Sequence, residues 1–83
     1  MKKIAVISAI LDDPLRNNAR FNDIVSNYQH IIRGRMGLPF QEDNISVVSL
    51  TVCGQLDEIN ELTGKLGNIA GITVKTAISK KTI

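Results

Sequence analysis

Four sets of side chains in this sequence have types and spacings that could do chemistry. Cys53 is the only cysteine and His30 the only histidine. A thiol and an imidazole can act as nucleophile and base, but these two fall on different elements. No Ser-His-Asp or Cys-His set closes within one subunit. Alone, Cys53 reads as a small apolar group in a strand, and His30 as a cation near the last carbonyls of a helix. Asp12 and Asp13, with Asn17 following, could hold a cation or border an interface ligand. They could equally turn the chain and cap the next helix.

Gly64 and Gly67, within Thr63-Gly-Lys-Leu-Gly67, have a GxxG spacing. A phosphate cradle needs glycines after a strand and before a helix, with amides converging on the anion. Here they come late in a helix, where close approach to a sheet or a tight helix end accounts for them. The fourth set is cationic: Lys2, Lys3, Lys80 and Lys81. Three or four soft-metal ligands are lacking, so neither a metal nor a cofactor is expected.

The elements that position these groups follow from periodicity. Ile4 to Leu11 is a short apolar run stopped by Asp12-Asp13-Pro14, which predicts a strand. Pro14 suits a first helical turn, with Asp13 as its cap. Phe21, Ile24, Val25 and Tyr28 then fall at i, i+3, i+4 and i+7, predicting a helix over about 15–29. Residues 31–38 form a weaker strand, interrupted by Gly34 and Gly37. Residues 45–52 form the strongest, with Val48, Leu50 and Val52 on one face, Val47, Ser49, Thr51 and Cys53 on the other, and Gly54 ending it. Ile59, Leu62, Leu66 and Ile69 stripe a second helix, and Ile72, Val74, Thr76 and Ile78 alternate along a last strand.

The order βαββαβ predicts a single α+β domain over residues 1–83. Its simplest form is a ferredoxin-like antiparallel sheet ordered 4-1-3-2 with both helices on one face. The other face is then bare. Placing Ile4, Val6 and Ile10 inward leaves Ala5, Ile7 and Ala9 on it; the uniformly apolar run also permits the reverse. Val47, Ser49, Thr51 and Cys53 line the neighbouring strand, with Arg33 and Arg35 at one margin and Lys75 and Ala77 at the other. A small apolar centre inside a cationic rim predicts self-association into a dimer through this face, with a tetramer as the next step.

Size and charge agree with a module of this kind. A chain of 83 residues, 43% hydrophobic and 22% charged, is a folded globule too small to carry a separate cofactor domain. The formal charge of +2 does not by itself imply nucleic acid. Strands 1 and 4 as antiparallel neighbours would gather Lys2, Lys3, Lys80 and Lys81 at one end, but no aromatic residue lies on strand 1 or 3 to stack bases. The basic end therefore makes nucleic-acid binding an alternative rather than the leading reading. An enzyme assembled between subunits from Cys53, His30 and Asp12/Asp13 is a further one. No run is long enough to span a bilayer and no signal peptide is evident, so a cytoplasmic protein is expected, with no membrane partner.

The stretches Arg33-Gly-Arg-Met-Gly-Leu-Pro39, Glu42-Asp-Asn-Ile-Ser46 and Leu62-Thr-Gly-Lys-Leu-Gly-Asn-Ile-Ala-Gly-Ile-Thr-Val-Lys-Thr76 resemble the small iron-only hydrogenase system regulator family. Its members are similar to ACT domains and to the C-terminal domain of the nickel-responsive repressor. The resemblance implies a sheet-associating, non-enzymatic regulator, acting on transcription or assembly through a small effector or a protein partner. It transfers no catalytic residue. One His and one Cys do not reproduce the nickel set, and Asp12-Asp13-Pro14-Leu15 stands where an ACT domain often carries glycine.

Overall fold

The computed structural model describes residues 1–83. Strand β1 (Lys2–Asp12) leads into helix α1 (Pro14–Ser26), and a 3₁₀ turn at Gln29–Ile31 precedes β2 (Ile32–Phe40). A second 3₁₀ turn at Gln41–Asp43 joins β2 to β3 (Ile45–Gln55); α2 (Leu56–Gly67) and β4 (Ile72–Ile78) complete the chain. The sheet is antiparallel and ordered β2-β3-β1-β4, the expected ferredoxin-like topology. Two strands of 11 residues at its centre draw the molecule out to 40 × 18 × 17 Å.

Both helices cover one side. Phe21 and Val25 of α1 and Ile59, Leu62 and Leu66 of α2 pack on Ala5, Ile7, Ala9 and Leu11 of β1 and Val48, Leu50 and Val52 of β3. Directly opposed residues of an antiparallel pair share a face. The register Ala5↔Val52, Ile7↔Leu50, Ala9↔Val48 therefore commits β1's odd positions to the core. The first orientation considered for β1 is thus reversed: Ala5, Ile7 and Ala9 are buried, and Ile4, Val6 and Ile10 face outward.

Three boundaries also differ from expectation. Helix α1 stops at Ser26, because Ser26 Oγ donates to the Asp23 carbonyl at 2.7 Å and Asn27 Nδ2 reaches the same oxygen at 3.4 Å, competing with the helical ladder. His30 consequently lies in the 3₁₀ turn and not at a helix end. Asp13 occupies the N-cap position but in a left-handed conformation (φ 47°), and its carboxylate caps nothing.

The third is β3, which continues through Gly54 to Gln55. Gly54 is buried under Ile31, and a Cβ there would sit 2.6 Å from Ile31 Cγ2. Around Gly64 and Gly67, by contrast, nothing lies within 4 Å of an added Cβ, so close packing on the sheet does not explain either glycine. Opposite signs follow. Gly54→Ala should destabilise by about 1–3 kcal/mol through overpacking, while Gly64→Ala, in an exposed helix interior, should stabilise by about 0.5–1 kcal/mol. Urea denaturation followed by circular dichroism measures both.

Candidate functional site

The helix-free face is built from alternate positions of all four strands. Across the sheet its rows read Leu38–Val47–Ile10–Thr73, then Met36–Ser49–Ser8–Lys75, then Gly34–Thr51–Val6–Ala77. Phe40–Ile45–Asp12 closes one end, and Cys53 beside Ile4 lies toward the other. Six large apolar side chains stand exposed here, from 41% at Val6 to 62% at Met36, with Ile4, Ile10, Leu38 and Phe40 between. Isolated exposed apolar residues are ordinary, but six sharing one face, with only Ser8 and Ser49 between Val6 and Ile10, make this face the candidate interaction surface.

Of the residues expected on this face, Val47, Ser49, Thr51, Cys53, Lys75 and Ala77 lie there by register. Arg35 does not. It pairs with Leu50, an inward position, and its guanidinium donates to Asn22 Oδ1 at 2.7 Å while covering the Phe21 ring at 5.6 Å. It buttresses α1 from behind the sheet. Arg33 is exposed at the register shift between Ile32 and Gly34, where β2 carries one extra residue and its alternation breaks. That bulge puts Met36, Leu38 and Phe40 on the open face. Their period of two was visible in the sequence, but the neighbouring glycines and Pro39 masked it.

Asp12, Asp13 and Asn17 come together at one end of the sheet. Asn17 Nδ2 donates to the Asp12 carbonyl at 2.5 Å, the Asp12 N–H donates to the Gly71 carbonyl at 2.8 Å, and the Asp13 N–H donates to the Asn44 carbonyl at 3.1 Å. Gly71 has φ 86°, a conformation that favours glycine, and a Cβ on it would lie 2.6 Å from Asn17 Nδ2 and displace that amide from Asp12. With Arg16 and Ala70 these residues line a hollow of about 310 Å³. Gly64 and Gly67 take no part. Both lie within α2, beyond its first four amides, so their N–H groups belong to the helical ladder and no anion cradle forms.

Cys53 and His30 are on opposite sides of the sheet. Cys53 is half-buried on the open face, whereas His30 Nε2 meets Glu58 Oε2 at 2.5 Å in the helix layer. Beside that pair, the Tyr28 hydroxyl donates to Glu61. Lys65 Nζ stands 3.5 Å from Glu61 and 5.4 Å from the centre of the Tyr28 ring. The Tyr28 hydrogen bond, and then Lys65, hold the Glu61 carboxyl below its ordinary range; Tyr28 first and Glu61 next hold Lys65 above its own. At the far end, Ser79 N–H donates to the Ile4 carbonyl at 2.8 Å and Lys3 Nζ to the Lys80 carbonyl at 2.9 Å, drawing the tail along β1. Lys2, Lys3, Lys80 and Lys81 do meet there.

A small α+β protein of ferredoxin-like fold, with one helix-covered and one bare apolar sheet face, is the class of protein these features define. Residues 3–76 match the TM1266-like family, described as iron-only hydrogenase system regulators, and the chain belongs to that family. It is similar in structure to the uncharacterized protein TM1266 from Thermotoga maritima, with a TM-score of 0.92 and 30% identity over 96% of this chain and 100% of that one. Among curated proteins none matches. No helix is long and apolar enough to cross a membrane.

The Tyr28 cluster gives a titration to check. Glu61, with its carboxyl lowered, contributes fully at neutral pH and loses that contribution as pH falls through the folded value, below the ordinary carboxylate range. Lys65, raised, keeps its contribution until pH climbs above the ordinary lysine range. Tyr28→Phe removes the leading cause at both. Carbon-detected NMR should show the Glu61 value move up and the Lys65 value move down.

Proposed function

We propose that the chain is a non-enzymatic, cytoplasmic regulatory subunit of the iron-only hydrogenase system that works as a homodimer closed over its open sheet face. The observation that carries this reading is the exposure of Ile4, Val6, Ile10, Met36, Leu38 and Phe40 together on one sheet face. Its extent fits the occupant. A face spanning the 40 Å and 18 Å dimensions offers on the order of 700 Å², close to the roughly 800 Å² that each partner of a standard stable complex buries. Its centre is β-branched and aliphatic with Ser8 and Ser49 between, and Lys75 lies on the margin strand, where its long stem reaches solvent. Two copies of such a surface are self-complementary, as a twofold interface requires.

Regulation enters through whatever favours one pairing state over another. Asp12 is the link. It ends the open-face row of β1 and also lines the hollow with Asp13, Arg16, Asn17 and Gly71. A small effector seated in that hollow touches the edge of the dimer surface, so binding there and pairing share a residue and become coupled. The convergent lysines favour a second reading, a nucleic-acid module, which a salt-sensitive gel shift lost in Lys2→Ala/Lys81→Ala would support.

The test of pairing is a charge in the middle of the face. Val6→Asp should lower dimer affinity at least about tenfold by burying an unpaired carboxylate. It should leave the circular dichroism spectrum unchanged, since Val6 is exposed in the single subunit. Asn60→Asp, at an exposed position in the middle of α2 in the helix layer, should leave affinity unchanged. Sedimentation velocity separates the outcomes; a wild-type protein that stays monomeric at all concentrations overturns the reading.

A further inference from the structure

The long axis of the molecule is electrically polarised. At one end, Asp12 and Asp13 close β1, and Glu42 and Asp43 form the turn between β2 and β3, held against the first loop by the Asp13–Asn44 backbone bond of 3.1 Å. At the other end, Lys2 and Lys3 open β1, and Lys80 and Lys81 lie in the tail that bonds back to it. None of these eight side chains forms an ion pair within the subunit. Groups of opposite sign near the ends are Arg16 of α1 at the acidic one and, at the basic one, Asp57 and Glu58 of α2 and the single carboxylate of Ile83, whose N–H donates to the Lys2 carbonyl at 2.9 Å; the four lysines outnumber that carboxylate on the strand side.

The polarity reaches the open face itself. The outward row of β1 is Lys2-Ile4-Val6-Ser8-Ile10-Asp12: a cation, an apolar middle broken by one serine, and a carboxylate. Asp43 borders the same face beside Ile10, Phe40, Ile45 and Val47. Two sheets packed face to face can be related by a twofold axis along the strands or by one across them. The first sets Lys2 toward the partner's Lys2 and Asp12 toward the partner's Asp12. The second sets Lys2 toward the partner's Asp12 and Ile4 toward the partner's Ile10, so that charges of opposite sign meet at both ends and apolar groups meet between.

Like charges facing each other across an interface are disfavoured and opposite charges fix register. We infer that the two copies pair head to tail, with the basic end of one sheet over the acidic end of the other. This inference rests on the pairing proposed above and adds its orientation. Ion pairs of this sort sit at the ends of the surface and not at its centre. They therefore select the arrangement, while the apolar middle supplies the adhesion.

Within one chain Lys2 and Asp12 are about 33 Å apart along β1. A carbodiimide, which joins an amine to a carboxylate with no spacer, can therefore link them only between copies. Peptide mass spectrometry of the cross-linked wild-type dimer should show Lys2 joined to Asp12 or Asp43. Lys2→Glu/Lys81→Glu should weaken pairing about tenfold, and adding Asp12→Lys/Asp43→Lys to the same chain should restore it. Raising sodium chloride from about 20 to about 300 mM should weaken the wild-type dimer as attraction is screened. A dimer that tightens with salt, gives no such cross-link or ignores the end reversal overturns the orientation and leaves pairing intact. An unpaired wild type overturns both, and the cross-link stands as a readout even where a reversed chain fails to fold.

Discussion

The antiparallel register of β1 on β3 is the constraint from which the rest of this molecule follows. A slip of one residue would exchange every inward side chain of β1 with its outward neighbour. The observed pairing sets Ala5 and Ala9 toward the helices, where small side chains let both helices come close, and leaves Ile4, Val6 and Ile10 toward the bare side. One alignment therefore makes the core and the candidate interface together. The apolar surface on the open face is the complement of a choice forced by packing on the other.

That choice explains why a chain of 83 residues leaves six large apolar groups uncovered on its open sheet face. Two helices can shield only one side of a four-stranded layer, and both crossovers place them on the same side. A sheet whose strands are apolar at even and odd positions alike reads as one meant to be covered twice. No helix of this chain covers the second side. In the homodimer proposed above, a copy of the same chain would cover it, matched in size and, at its ends, in charge.

The helix layer plays a different part. Arg35 bridges the edge strand to α1 through Asn22 and the Phe21 ring, and the Tyr28–Glu61–Lys65 cluster joins the residues after α1 to α2. These contacts hold the two helices as a single plate behind the sheet. Polar side chains rich in hydrogen bonds thus lie on one side of the sheet and an apolar surface on the other. The membership in a family named for regulators of the iron-only hydrogenase system accords with that division.

The sequence by itself determined the βαββαβ order, the 4-1-3-2 sheet, the faces of β3 and the apolar stripes of both helices. The element order, faces and stripes are local and periodic, written in the spacing of a few neighbours, and the sheet order follows from them through the handedness of crossovers. It also carried the family, through the Leu62–Thr76 stretch. Only the tertiary structure decided which face of β1 is buried, because an unbroken apolar run has no period to read and its orientation comes from the strand beside it. The same holds for Arg35, turned inward by the bulge at Arg33, and for Gly54, kept inside β3 because Ile31 packs across it from 23 positions away in sequence. Pairwise register and long-range contact belong to the folded chain, and no spacing along the sequence encodes them.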